Sequence, residues 1–222
     1  DNVIDLCPVG ALLAKDFLHK ARVWYLKATP SVCPGCERGC GVNLWHRKDE
    51  WKLRSPRQAA RNEGIDRVTP IENPAVNGPW VCNKARDLPR LFGRVRATGP
   101  LFKGAPAPCE AAVLEARALI AEAKRPFAVV SSWASNEELA AFKAAFGSRF
   151  ALVAKRDHEP QPGEVVQDDL LIRADKNPNA AGVRAVLGEC GTEVPKDADL
   201  VLVWGEGFDF RAVPAGAKIV FL

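Results

Sequence analysis

Cys33-Pro34-Gly35-Cys36-Glu37-Arg38-Gly39-Cys40 places three thiols within eight residues, and a fourth, Cys82, follows after 41 more. Thiolates are soft ligands that suit iron–sulfide clusters and zinc. Three cysteines at this spacing can wrap three corners of a [4Fe–4S] cubane if the backbone turns tightly. Gly35, Gly39 and Gly41 permit the backbone angles such a loop needs. Backbone N–H groups in the loop would then face the sulfides and tune the potential. Zinc favours two separated Cys-x(2–4)-Cys knuckles, and Cys82 has no neighbouring cysteine. A four-cysteine zinc site stays open as the alternative, with His46 either a substitute ligand or a structural residue on a strand edge.

Outward from this motif, residues 29–92 are rich in Gly, Pro, Cys, Trp and Arg, with short strand-like pieces such as residues 41–45. So little core-forming periodicity calls for a staple. Residues 1–28 form a separate segment: an apolar stretch over residues 3–10, then residues 11–20, which read as a helical turn or two. From residue 93 the pattern changes. Residues 109–124 carry apolar positions at helical spacing and stop at Arg125-Pro126. Ser135-Asn136-Glu137-Glu138 opens a capped helix that Gly147 ends, and residues 179–187 read as a third helix. Residues 127–130, 150–153, 200–204 and 218–222 are apolar runs of strand length. Strands alternating with helices predict an α/β fold, a parallel sheet with helices on its faces. Residues 100–108 read as the linker between the two parts. Ser131 to Ser135 occupy the place of a GxGxxG after the first of these strands, which argues against dinucleotide binding.

Composition narrows the function. A net charge of +4, from 31 basic and 27 acidic residues, is too small to argue for nucleic acid or anionic lipid. No run approaches the roughly 18 apolar residues of a membrane span, so direct membrane insertion is not expected. The opening residues lack a signal-peptide pattern. There is no methionine, and the chain reads as a piece of a longer polypeptide. Seven cysteines, an odd and clustered set, argue against a disulfide framework and for metal in a reducing compartment. The cytoplasm, or the cytoplasmic face of a membrane complex, is the expected location. Cys7-Pro8 fits either a distant fourth cluster ligand or a buried free thiol. Cys109 and Cys190 have no partner at metal-like spacing and read as packing residues at helix ends.

Asn2-Val3-Ile4-Asp5-Leu6-Cys7-Pro8-Val9-Gly10-Ala11-Leu12 resembles a segment of the large iron–sulfur subunit of NADH:quinone oxidoreductase. It also resembles NAD-linked hydrogenases and formate dehydrogenases. The resemblance implies that Cys7 is the last ligand of a second [4Fe–4S] cluster whose other ligands come earlier in the polypeptide. The cysteine loop from Ser31, with Asn73-Pro74-Ala75-Val76-Asn77-Gly78-Pro79-Trp80-Val81-Cys82-Asn83-Lys84, resembles the [4Fe–4S] domain that opens molybdopterin oxidoreductases. Residues 168–179 resemble a segment in short members of the group, more weakly. The resemblance therefore implies an end of an upstream ferredoxin-like region (1–28), a [4Fe–4S] domain (29–92) and a Rossmann-like, molybdopterin-oxidoreductase-like α/β domain (93–222).

Two departures from the family stand out. Residues 49–67 form a charged insert between Cys40 and Cys82, a solvated loop or a docking surface for another subunit. About 140 residues follow Cys82, against the several hundred more that enclose a pterin, so a truncated domain without molybdopterin is expected. Lys84, which in molybdenum members lies between cluster and pterin, then reads as a surface lysine or one behind the ligands. The implied role is a non-catalytic electron relay in a multisubunit complex. Its expected partners are a flavin-bearing, NADH-oxidising subunit and the other subunits. Arg38 inside the loop is expected to raise the cluster's potential, so that its replacement by Ala lowers the midpoint. The rivals are a zinc-stapled assembly subunit and a fragment of a molybdenum or tungsten formate dehydrogenase.

Overall fold

The computed structural model describes residues 2–93, 97–147, 149–155, 160–191, 193–205 and 209–222. The chain divides into two compact units, residues 1–95 with 163–174, and residues 96–162 with 175–222.

The first unit starts with a short helix α1 (Val3–Leu6) and is built on an antiparallel sheet in the order β1 (Leu26–Val32), β2 (Gly41–Arg47), β3 (Arg67–Pro70). Pro30 lies in β1 opposite Asn43. A residue that cannot donate to a ladder is tolerated there because β1 is an edge strand. Two short helices, α2 (Asn83–Arg86) and α3 (Leu88–Phe92), follow the sheet. Its small core joins Cys33, Cys40, Val42, Val68, Val81, Ala85 and Leu88. Cysteines thus supply part of the hydrophobic packing.

No helix forms over residues 11–20, contrary to the expectation from sequence. Turns replace it, closed by bonds such as Phe17 N–H to Ala14 O at 2.9 Å, and His19 adopts a φ of 64° that no helix accepts. Phe17 alone of this stretch is buried. One anchor does not supply the repeated apolar contacts that stabilise a helix. The charged insert is two 3₁₀ turns, Asp49–Trp51 and Ala59–Glu63.

The second unit opens with a small hairpin, β4 (Leu101–Phe102) and β5 (Ala105–Pro106), where the sequence suggested only a linker. Then come α4 (Cys109–Glu122), β6 (Pro126–Ser131), α5 (Asn136–Phe146), β7 (Ala151–Lys155), α6 (Ala180–Leu187), β8 (Leu200–Trp204) and β9 (Lys218–Phe221). The four long strands form a parallel sheet in the order β7-β6-β8-β9. The chain is therefore α/β, as the alternation of elements predicts.

The α5 start is a capping box. Ser135 Oγ accepts from Glu138 N–H at 3.2 Å, and the Glu138 carboxylate accepts from Ser135 N–H at 2.7 Å. One face of the sheet, Ala128, Val130, Leu200, Leu202 and Val220, packs with Leu139 and Phe142 of α5, Val183 of α6 and, at its margin, Ala116 and Leu119 of α4. Burial of each large aliphatic side chain there is worth about 1.5–3 kcal/mol. The opposite face, with Phe127, Val129, Val201 and Val203, is covered by Val194, Ala198, Val213 and Ala217 from connecting segments. Among the described residues the helices pack on one face, which corrects the expectation of helices on both. No described helix is long and apolar enough to cross a membrane.

Candidate metal centre

The cysteine loop is the connection of a β-hairpin. The β1–β2 ladder ends at the Val32–Gly41 pair, and Cys33 N–H donates to Cys40 O at 2.8 Å, closing the loop over residues 33–40. Gly39 sits at a φ of +65°, a left-handed conformation that a Cβ would strain. Gly35 N–H points at Cys33 Sγ, 3.4 Å away, the kind of donor that stabilises an anionic sulfur.

Asn77 aligns Cys82 with this loop. Its side chain, in a residue 3% exposed, accepts from Gly41 N–H at 3.1 Å and shares its two N–H donors among Ile71 O, Gly78 O and Trp80 O at 2.9–3.0 Å. One amide thus ties the end of the cysteine loop to the turn that leads into Cys82. Arg38 Nε adds a second tie, donating to Val76 O at 2.8 Å. The turn itself is closed by the Asn73–Gly78 bridge, with Gly78 at a φ of +53°. Cys82 then occupies the N-cap position of α2. Sequence reasoning assigns Asn77 no role of its own. The one local signal of it is an Asn followed by a Gly that needs left-handed backbone.

Cys33, Cys36 and Cys40 are buried, Cys82 is partly buried, and all are free thiols. Burial pushes the Cys33 thiol up to about 12, with Cys82, Cys40 and Cys36 adding repulsion. Cys40 rises to about 11 for the same reasons, burial first, against a lowering by Arg38. Cys33 and Cys40, buried beside other sulfurs, resist ionisation unless positive charge arrives with the group they bind. Among the described residues, no three His, Cys, Asp or Glu side chains are arranged to hold one metal ion. Four sulfurs on a single zinc, each about 2.3 Å from it, would have to close on one point. A cubane spreads its ligands over four separate irons. Four free thiols form a soft donor set of the kind that holds an iron–sulfur group.

The other candidates lie elsewhere. Cys7 stands outside the buried cysteine group, on the N-terminal segment, and its thiol is lowered chiefly by the Leu12 N–H, with Ala11, Val9 and Gly10 N–H groups helping. That segment is pinned to α2 by Asn2, which accepts from Val81 N–H and Arg86, and by the Asp5–Arg86 ion pair. His46 Nε2 meets Thr29 Oγ1 at 2.8 Å across β1–β2, a structural contact. Cys190 packs against the second unit's core, whereas Cys109 is exposed at the start of α4, so the packing role read for it does not hold.

Residues 26–92 match the molybdopterin oxidoreductase Fe4S4 domain. The chain is 35% identical over 104 residues to the NADH dehydrogenase [ubiquinone] iron-sulfur protein 1, mitochondrial, of Solanum tuberosum, covering 47% of this chain and 12% of that protein. It is 34% identical over 102 residues to the NADH-ubiquinone oxidoreductase 75 kDa subunit of Reclinomonas americana, covering 46% of this chain and 13% of that one. To NADH-quinone oxidoreductase subunit 3 of Thermus thermophilus it is 34% identical over 85 residues, 38% of this chain and 9% of that one. The chain spans only about a tenth of the length of these curated relatives.

Proposed function

We propose that this chain is part of an electron-relay iron–sulfur subunit of an NADH-oxidising complex, and that Cys33, Cys36, Cys40 and Cys82 hold its [4Fe–4S] cluster. The observation that carries this reading is three buried thiols in the β1–β2 connection and a partly buried fourth, Cys82, with the loop tied by Asn77 to the turn that leads into it. When bound, such a cluster accepts and releases single electrons. The chain's own residues do the rest. The hairpin and α2 fix the position of the four sulfurs, the small core excludes water, and the Gly35 N–H and Arg38 favour negative charge on the sulfurs. Cys7, with its ring of backbone donors, supplies one ligand to a second cluster whose remaining ligands belong to polypeptide outside these 222 residues. The partners in this reading are a flavin-bearing subunit that oxidises NADH and the neighbouring subunits of the complex, on the cytoplasmic side.

Iron, acid-labile sulfide, zinc and molybdenum measured on anaerobically prepared chain test the proposal. About four irons and four sulfides per chain, lost when Cys36→Ser is made, are expected, without molybdenum. About one zinc without sulfide overturns it.

A further inference from the structure

Residues 163–174 lie some eighty positions beyond Cys82 in the chain, within the stretch that builds the α/β region, yet they belong to the first compact unit. Leu171, 5% exposed, buries itself there. Asp168 shapes the segment: its Oδ1 accepts from the N–H groups of Leu170, Leu171 and Ile172 at 3.0, 2.6 and 2.7 Å. Its own N–H donates to Ile172 O at 3.0 Å.

This segment brings carboxylates to cations that lie within two residues of the cysteines in sequence. Glu164, its side chain 15% exposed, forms an ion pair with Lys84, two residues beyond Cys82 in α2. Asp168 is held below the usual carboxylate range chiefly by the Leu171 and Ile172 N–H groups, with the Arg38 guanidinium contributing. The same Arg38 acts on Cys40. Lys84 is thus paired with an acid of the returning segment, and Arg38 lies within electrostatic reach of a second.

We propose that residues 163–174 are an electrostatic strap, in which Glu164 opposite Lys84, seconded by Asp168 near Arg38, holds down the reduction potential of the group bound by the four cysteines. The proposal rests on the reading of that group as an iron–sulfur cluster. Reduction adds a negative charge to the site, so a neighbouring cation favours the reduced form and a carboxylate opposes it. At partly buried positions such charges act with less screening than in water. Glu164 works through Lys84, with which it pairs, and is a positioning residue.

The test is an EPR-monitored redox titration of the full 222-residue chain, prepared anaerobically, as wild type, Glu164→Gln, Lys84→Gln and the double variant. Glutamine keeps an oxygen for Lys84 and removes only the charge. E164Q is expected to raise the midpoint by up to about tenfold in the reduction equilibrium, about 59 mV for a one-electron couple. K84Q should lower it, and the double variant should lie between the two. Coincident midpoints in cluster-loaded wild type and E164Q would overturn the strap and leave the iron–sulfur reading standing. Absence of iron and sulfide from the wild type would overturn both. If E164Q alone fails to hold iron, Asp168→Asn reports the same upward shift. Loss of iron in both, or an unshifted D168N, would sink the charge account.

Discussion

At the scale of the residue, the site depends on a side chain that is not a ligand. Asn77 satisfies Gly41 N–H and three carbonyl groups from a nearly inaccessible position. Removing one partner of a buried hydrogen-bonded set costs about 1–3 kcal/mol, because the groups left behind lose both the protein and the water bond. Asn77→Ala is therefore expected to destabilise the first unit by that amount and to lower its iron content. Urea unfolding read alongside an iron-to-protein ratio checks both. The four cysteines proposed as ligands stand out in the sequence, since their chemistry and spacing are properties of the chain. Asn77 does not, because its importance comes from four backbone groups gathered from residues 41, 71, 78 and 80. Glu164 was hidden for a similar reason: its partner stands eighty residues earlier.

Secondary-structure elements divide by how far their cause reaches. The α5 helix was readable from its capping residues, and the structure shows both bonds of the box. Ser135→Ala should cost about 1 kcal/mol, seen as a lower thermal midpoint of the α/β unit with an unchanged first unit. Asp199 works between elements. Its carboxylate accepts from Lys124 N–H at 2.8 Å and Arg125 N–H at 3.0 Å, joining the end of α4 and the start of β6 to the root of β8. Those donors, Lys124 first, hold its pKa below the ordinary value. A depressed folded pKa gives stability that is present above the unfolded value, about 3.9, and is lost as pH falls through the folded value. Asp199→Asn should therefore flatten the acid limb of the stability–pH curve below about pH 4, which chemical denaturation at stepped pH measures. The stretch 11–20 went the other way. Its composition suggested a helix, but helices of this length are held by tertiary packing, and here a single phenylalanine is buried.

For the whole molecule, each unit has its own core, and the two differ in kind. The second is aliphatic and aromatic, centred on Leu139, Leu200, Leu202 and Val183. The first includes cysteines among its few buried residues. A bound metal group stabilises only the unit whose ligands it gathers. Stripping iron by oxidation and chelation is expected to lower the unfolding temperature of the first unit and leave that of the second unchanged. Calorimetry should then show two transitions, of which one moves.

The local code settled the cysteine loop, the alternation of helices and strands beyond residue 93, and the α5 cap, because each is decided by neighbours within a few positions. Tertiary structure alone decided that the helices share one face of the sheet, that Cys109 is exposed, and that residues 163–174 return to the cysteine unit. Those outcomes depend on which distant surfaces bury one another and which distant charges meet. Burial and Coulomb energy act through space, and neither leaves a periodic mark along the chain.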